Sequence, residues 1–131
     1  MPEYKKHFTI EEARALVPQM QEQFKKIHAL LAEIREGQEA AGQEKLRILK
    51  GNGKGPIVAG LGPKIAEVQK EIEAIAEIGI QIKDLQRGLI DFPHYLQGDK
   101  AHEVFLCYEL SEDTVLYWHE IEDGFAGRHP L

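Results

Sequence analysis

The chain is poor in cysteine. Cys107 stands alone among 131 residues, which excludes an intramolecular disulfide framework and suits a reducing compartment. Long apolar runs are also missing, and none approaches the roughly 18–20 residues a membrane span requires. The opening Met1-Pro2-Glu3-Tyr4-Lys5-Lys6 lacks the apolar core of a signal peptide. These absences together lead us to expect a cytoplasmic protein with no membrane partner. Basic charge is scarce in one region only. Residues 1–79 carry 12 basic and 12 acidic side chains, whereas residues 80–131 carry 4 and 10, so the formal net charge of −6 lies in the C-terminal part. Nucleic-acid binding needs basic surface to displace phosphate counterions, so no nucleic-acid partner is expected. An acidic segment favours cations, metals or basic partners, or simply a solvated surface.

What is present begins with helix signals. Thr9 is a good N-cap and Glu12 completes a capping box three residues on. Phe8 and Ala13 occupy the hydrophobic-staple positions. Apolar residues then recur at Val17, Met20, Phe24, Ile27, Leu31 and Ile34, the 3-4 alternation of a coiled-coil seam. Pro18 removes a backbone donor and should bend the helix, and Gly37 is a plausible terminus. Residues 38–50 read either as a short helix or as a continuation of the first. The glycine-rich stretch 51–62 reads as a mobile linker. It lacks the Gly-Lys-Ser/Thr ending of a phosphate loop, and no clear strand precedes it. Pro63 suits the first turn of a second helix, whose seam is Leu61, Ile65, Val68, Ile72 and Ile75, with Gly79 as its C-cap.

After Gly79 the period changes from 3.5 to 2. Ile80–Asp84, Gly88–Phe92 (closed by Pro93), Glu103–Leu110 and Thr114–Trp118 read as strands, with Ser111-Glu112-Asp113 as a turn. Seven of ten aromatics fall in residues 92–125, so the sheet should carry the bulky packing against the helices. The expected fold is α+β in a single domain, 1–131: a long antiparallel helical hairpin (9–79) packed on a small antiparallel β-meander with a tail (80–131).

Four of the six histidines, His94, His102, His119 and His129, share this segment with Cys107 and most of the acidic groups. These are metal-ligand types, although no tight spacing motif is present. His94, His102 and His129 read as loop residues. Asp91, between Ile90 and Phe92 and before a proline, is unusual as surface decoration. His119 and Glu120 are adjacent, so they can serve one ion only if the strand ends near Trp118. Hairpin register decides the rest. An even loop pairs Leu106 with His119, and a three-residue loop pairs Phe105 with His119. Only the odd register lets Cys107 and His119 share a site. The competing readings are structural: His119 as a hydrogen-bonded sheet histidine, Cys107 as a small core residue, and Asp84 with Arg87 or Asp91 with Arg128 as ion pairs.

The runs Lys83-Asp84-Leu85, Arg87-Gly88-Leu89-Ile90-Asp91-Phe92-Pro93, Val104-Phe105-Leu106-Cys107-Tyr108, Tyr117-Trp118-His119-Glu120 and Gly124-Phe125-Ala126-Gly127-Arg128-His129-Pro130-Leu131 resemble the bacterial family catalogued as domain of unknown function 2203. The opening Phe8-Thr9-Ile10-Glu11-Glu12-Ala13 is similar to that family's start. Tyr108 stands where the family has tryptophan, and Ser111 where it has glycine. The glycine-rich linker looks like an insertion. The resemblance implies a bacterial or archaeal origin, no established activity and a suggested metal-binding role.

Three functions follow as expectations. The first is a divalent-cation site, zinc or a similar transition metal, using Asp91 and His119 with Glu120 as third ligand, or a small-molecule ligand bound on the meander. The second is a helical homodimer acting as an interaction or scaffold protein, because one hairpin cannot cover both seams. The third is a metal-dependent enzyme, since three protein ligands leave one position open.

Overall fold

The computed structural model describes residues 2–40 and 61–131. Two helices, α1 (Ile10–Ala40) and α2 (Gly62–Ile78), precede five strands: β1 (Gln81–Asp84), β2 (Leu89–Tyr95), β3 (Glu103–Glu109), β4 (Tyr117–Glu120) and β5 (His129–Pro130). Each strand pairs antiparallel with the next, in the order β1-β2-β3-β4-β5. The fold is α+β, a helical hairpin with a β-meander. The fold divides into two compact units. One comprises Met1–Phe24 with Glu73–Leu131, and the other Lys25–Ile72.

In the first unit, α1 begins as its capping box dictates. Glu12 N donates to Thr9 Oγ1 at 3.0 Å, and Thr9 N donates to Glu12 Oε1 at 2.8 Å. The helix continues through Pro18. Ala13, Val17, Met20 and Phe24 are buried on one stripe, as is Ile75 of α2. Gln21 Nε2 donates to the Tyr108 hydroxyl at 3.2 Å, and Arg14 Nε donates to the Val115 carbonyl at 3.0 Å, so this part of α1 lies on the sheet. Pairing and the two-residue strand period sort the sheet's faces. Ile90, Phe92, Val104, Leu106 and Tyr108 share the face toward α1, and all are buried. Asp91, Phe105, Cys107, Tyr117 and His119 share the opposite face. The aromatics are thus divided between two faces rather than turned wholly toward the helices.

In the second unit, Ile27, Leu61 and Val68 are buried, whereas Ile65 of the α2 seam is 40% exposed. Gly37 does not end α1. A Cβ there would stand 2.7 Å from Leu61 Cδ2, so the missing side chain lets Leu61 pack closely against the helix. Gly79, at φ +107°, does end α2. Residues 41–60, which hold most of the expected linker and of the ambiguous 38–50 stretch, lie outside the described residues.

Strands β2, β4 and β5 depart most from the sequence expectation. β2 runs on through Pro93 to Tyr95. The Pro93 carbonyl accepts from Phe8 N at 2.7 Å, so its nitrogen faces the same side, where β1 has already ended and no ladder donor is needed. β4 starts at Tyr117 rather than Thr114. Glu112 shapes the preceding connection, its carboxylate accepting from Glu109 N at 2.7 Å while its own N donates to the Glu109 carbonyl at 2.8 Å. β5 gave no readable strand signal. Its two residues are held by pairing with Tyr117 and Trp118.

Candidate functional site

Phe105 pairs with His119 and Cys107 with Tyr117, so the β3–β4 hairpin takes the odd register. On the neighbouring edge, Cys107 pairs with Asp91. Three consecutive strands therefore each deliver one side chain to the same face: Asp91 from β2, Cys107 from β3 and His119 from β4. All three are buried, and their ligand-type atoms lie within 4.8 Å of one another.

His119 is fixed at both ring nitrogens. Nδ1 lies 2.7 Å from the Glu120 carbonyl, an acceptor only, so Nδ1 carries a proton. Nε2 is thereby aimed at the Asp91 carboxylate, 3.1 and 3.2 Å from its oxygens. Burial opposes charge on the ring. The Asp91 hydrogen bond, the Glu120 carbonyl and the Asp91 charge outweigh it and raise the His119 pKa above the usual imidazole value. Burial, followed by the charge of Asp91, pushes the Cys107 thiol up to about 12. The group is a hydrogen-bonded histidine–carboxylate pair with a protonated thiol beside it.

A cavity of about 160 Å³ opens on this group, walled by Lys83, Phe105, Ile121, Asp123 and Phe125 among others. Phe125 lies beneath two guanidinium groups, Arg87 and Arg128, each 4.4 Å from its ring centre. Arg87 Nε donates to Glu109 at 2.6 Å, and Arg128 Nη2 donates to Glu112 at 2.6 Å, so both cations are already neutralised.

A family model described as an uncharacterized conserved protein (DUF2203) matches residues 6–131. The chain belongs to this family. No curated protein and no solved structure matches. In this DUF2203 protein the sequence-expected residues part company. Asp91 and His119 come together, but Glu120 does not join them. It lies across from Val104 on the other face, and its carboxylate is 2.8 Å from His102 Nε2. The reason is strand alternation: β4 does not end at Trp118 but runs through Glu120. Cys107 takes the place expected of Glu120, and only the register could have revealed it.

Of the three histidines expected in loops, His102 lies in the connection before β3, and the other two lie in strands. His94 is a buried β2 residue with Nδ1 2.6 Å from the Phe8 carbonyl. His129 lies in β5, its ring centre 4.7 Å from that of Trp118. The proposed Asp91–Arg128 and Asp84–Arg87 ion pairs are replaced. Arg128 serves Glu112, Arg87 serves Glu109, and the Asp84 carboxylate accepts from the Arg87 backbone N at 3.1 Å. Several acidic groups of the C-terminal part, Glu103, Glu109, Glu112 and Glu120, have such basic partners and do not converge on the cavity.

No helix of the described residues is long and apolar enough to cross a membrane.

Proposed function

We propose that Asp91, Cys107 and His119 bind a divalent transition metal, zinc or a close neighbour, with one coordination position open to the cavity. The observation that carries this reading is the bond from His119 Nδ1 to the Glu120 carbonyl at 2.7 Å. A metal-binding histidine characteristically spends its second nitrogen in this way, which orients the ring and raises its basicity. The donor set suits zinc: imidazole, carboxylate and thiolate. Tetrahedral zinc places such atoms roughly 3.5 Å apart. The present atoms lie within 4.8 Å, so closing on an ion asks the widest pair to shift by about 1 Å. Cys107 must lose its proton to bind, and metal coordination supplies the driving force for that loss.

The test is metal content of protein purified without a metal-binding tag. Wild type should hold about one equivalent, and Asp91→Ala, His119→Ala and Cys107→Ser should each lower it, while Glu120→Ala should not. Less than about 0.1 equivalent in wild type, with no rise in melting temperature on adding zinc, would overturn the reading.

A further inference from the structure

Strand β1 contains an irregularity that places a cation over this cavity. Ile82 pairs with Ile90 and Asp84 with Leu89, so Lys83 is the extra residue of a β-bulge. Bulges bend a strand and re-aim a side chain, and they are over-represented next to functional sites. Here the bulged residue lines the cavity, and Lys83 Nζ lies 4.7 Å from the centre of the Phe105 ring, on the same face as His119. Among the described residues Lys83 has no carboxylate within ion-pair distance, in contrast to Arg87 and Arg128, which stack on Phe125 and pair with Glu109 and Glu112.

We propose that the cavity binds a small monoanionic carboxylate, received by the Lys83 ammonium at the side left open by the Asp91–Cys107–His119 cluster. This rests on the metal reading of that cluster. Size sets the first limit, because 160 Å³ equals about five waters at roughly 30 Å³ each. Charge sets the second. One unpaired ammonium and the ion favour an anion, while Asp123 on the same cavity wall disfavours a second negative charge. The walls set the third: Phe105, Ile121 and Phe125 offer apolar surface to a short carbon chain but nothing that would hydrate a phosphate.

The experiment uses the full chain loaded with cobalt(II), whose visible spectrum reports its ligands. It is titrated with sodium acetate and, separately, with inorganic phosphate. Acetate should change the spectrum saturably and bind more tightly than phosphate. Lys83→Ala should weaken acetate by about tenfold to a hundredfold, the value of one charge-assisted hydrogen bond, while cobalt still binds. Lys83→Arg should restore most of the binding. Lys83 is exposed on a strand edge, so these variants keep the fold, which circular dichroism verifies. A cobalt spectrum that ignores acetate, responds equally in Lys83→Ala, or prefers phosphate overturns this inference and leaves the metal reading standing. A protein that takes up no cobalt overturns both.

Discussion

At the residue scale, the His119–Asp91 pair makes metal-free stability depend on pH, and the sign follows from the direction of the shift. His119 has a raised pKa in the fold, so the protonated ring favours the folded state. That contribution is complete below about pH 6.5, the unfolded value, and is lost as pH rises through the raised folded value. Urea melts of metal-free protein should therefore lose stability across the neutral-to-alkaline range, and His119→Gln should flatten the dependence. Zinc should reverse the slope, because metal and proton compete for the same nitrogen. Asp91→Ala leaves a buried ring without its partner, and a loss of about 3–5 kcal/mol is expected for breaking such a pair. Cys107, pushed up to about 12, should resist thiol reagents in native metal-free protein and react once unfolded. Asp91 was legible because a carboxylate is out of place between Ile90 and Phe92, and His119 because it is a metal-ligand type in a segment rich in histidine and acidic groups. Cys107 was not, because a buried cysteine is ordinary core material until its cross-strand partners are known.

At the element scale, signals that act within a few residues were the readable ones. The Thr9–Glu12 box is visible in four letters and present in the fold, and Thr9→Ala should cost about 1 kcal/mol in denaturant melts. Gly37 misled because a glycine that ends a helix and one that admits a neighbour look alike in sequence; here the neighbour is Leu61. The reach of β2 past Pro93 depended on where β1 stops, and the connection before β4 is held by Arg14, about a hundred residues away, and by Arg128 on Glu112. The turn before β2 has a stricter demand. Gly88 has φ +64°, and a Cβ there would meet Leu110 Cβ at 2.7 Å. Gly88→Ala should destabilise by about 1–3 kcal/mol, through strain of both kinds. Differential scanning calorimetry measures it.

At the scale of the whole molecule, the change of period after Gly79 sufficed to separate helices from meander, because repeating patterns average over many residues. It could not assign partners to faces that the chain leaves open. Ile65 stays 40% exposed on the α2 seam, and we propose that a second copy covers it, giving a helical homodimer. Light scattering should report a dimer for wild type and a monomer for Ile65→Glu. A wild type that remains monomeric at every accessible concentration removes the proposal.

The meander has one more consequence. Asp91, Cys107 and His119 come from three successive strands joined by short connections, so each pairing step that builds the sheet also brings one donor to its place. The proposed chelate would be complete only when β2, β3 and β4 are all zipped together, and none of them could peel away without losing a donor. A captured ion would act as a rivet. Backbone amides of these three strands should then slow together in deuterium exchange when zinc is added, while those of β1, which contributes no donor, should gain least.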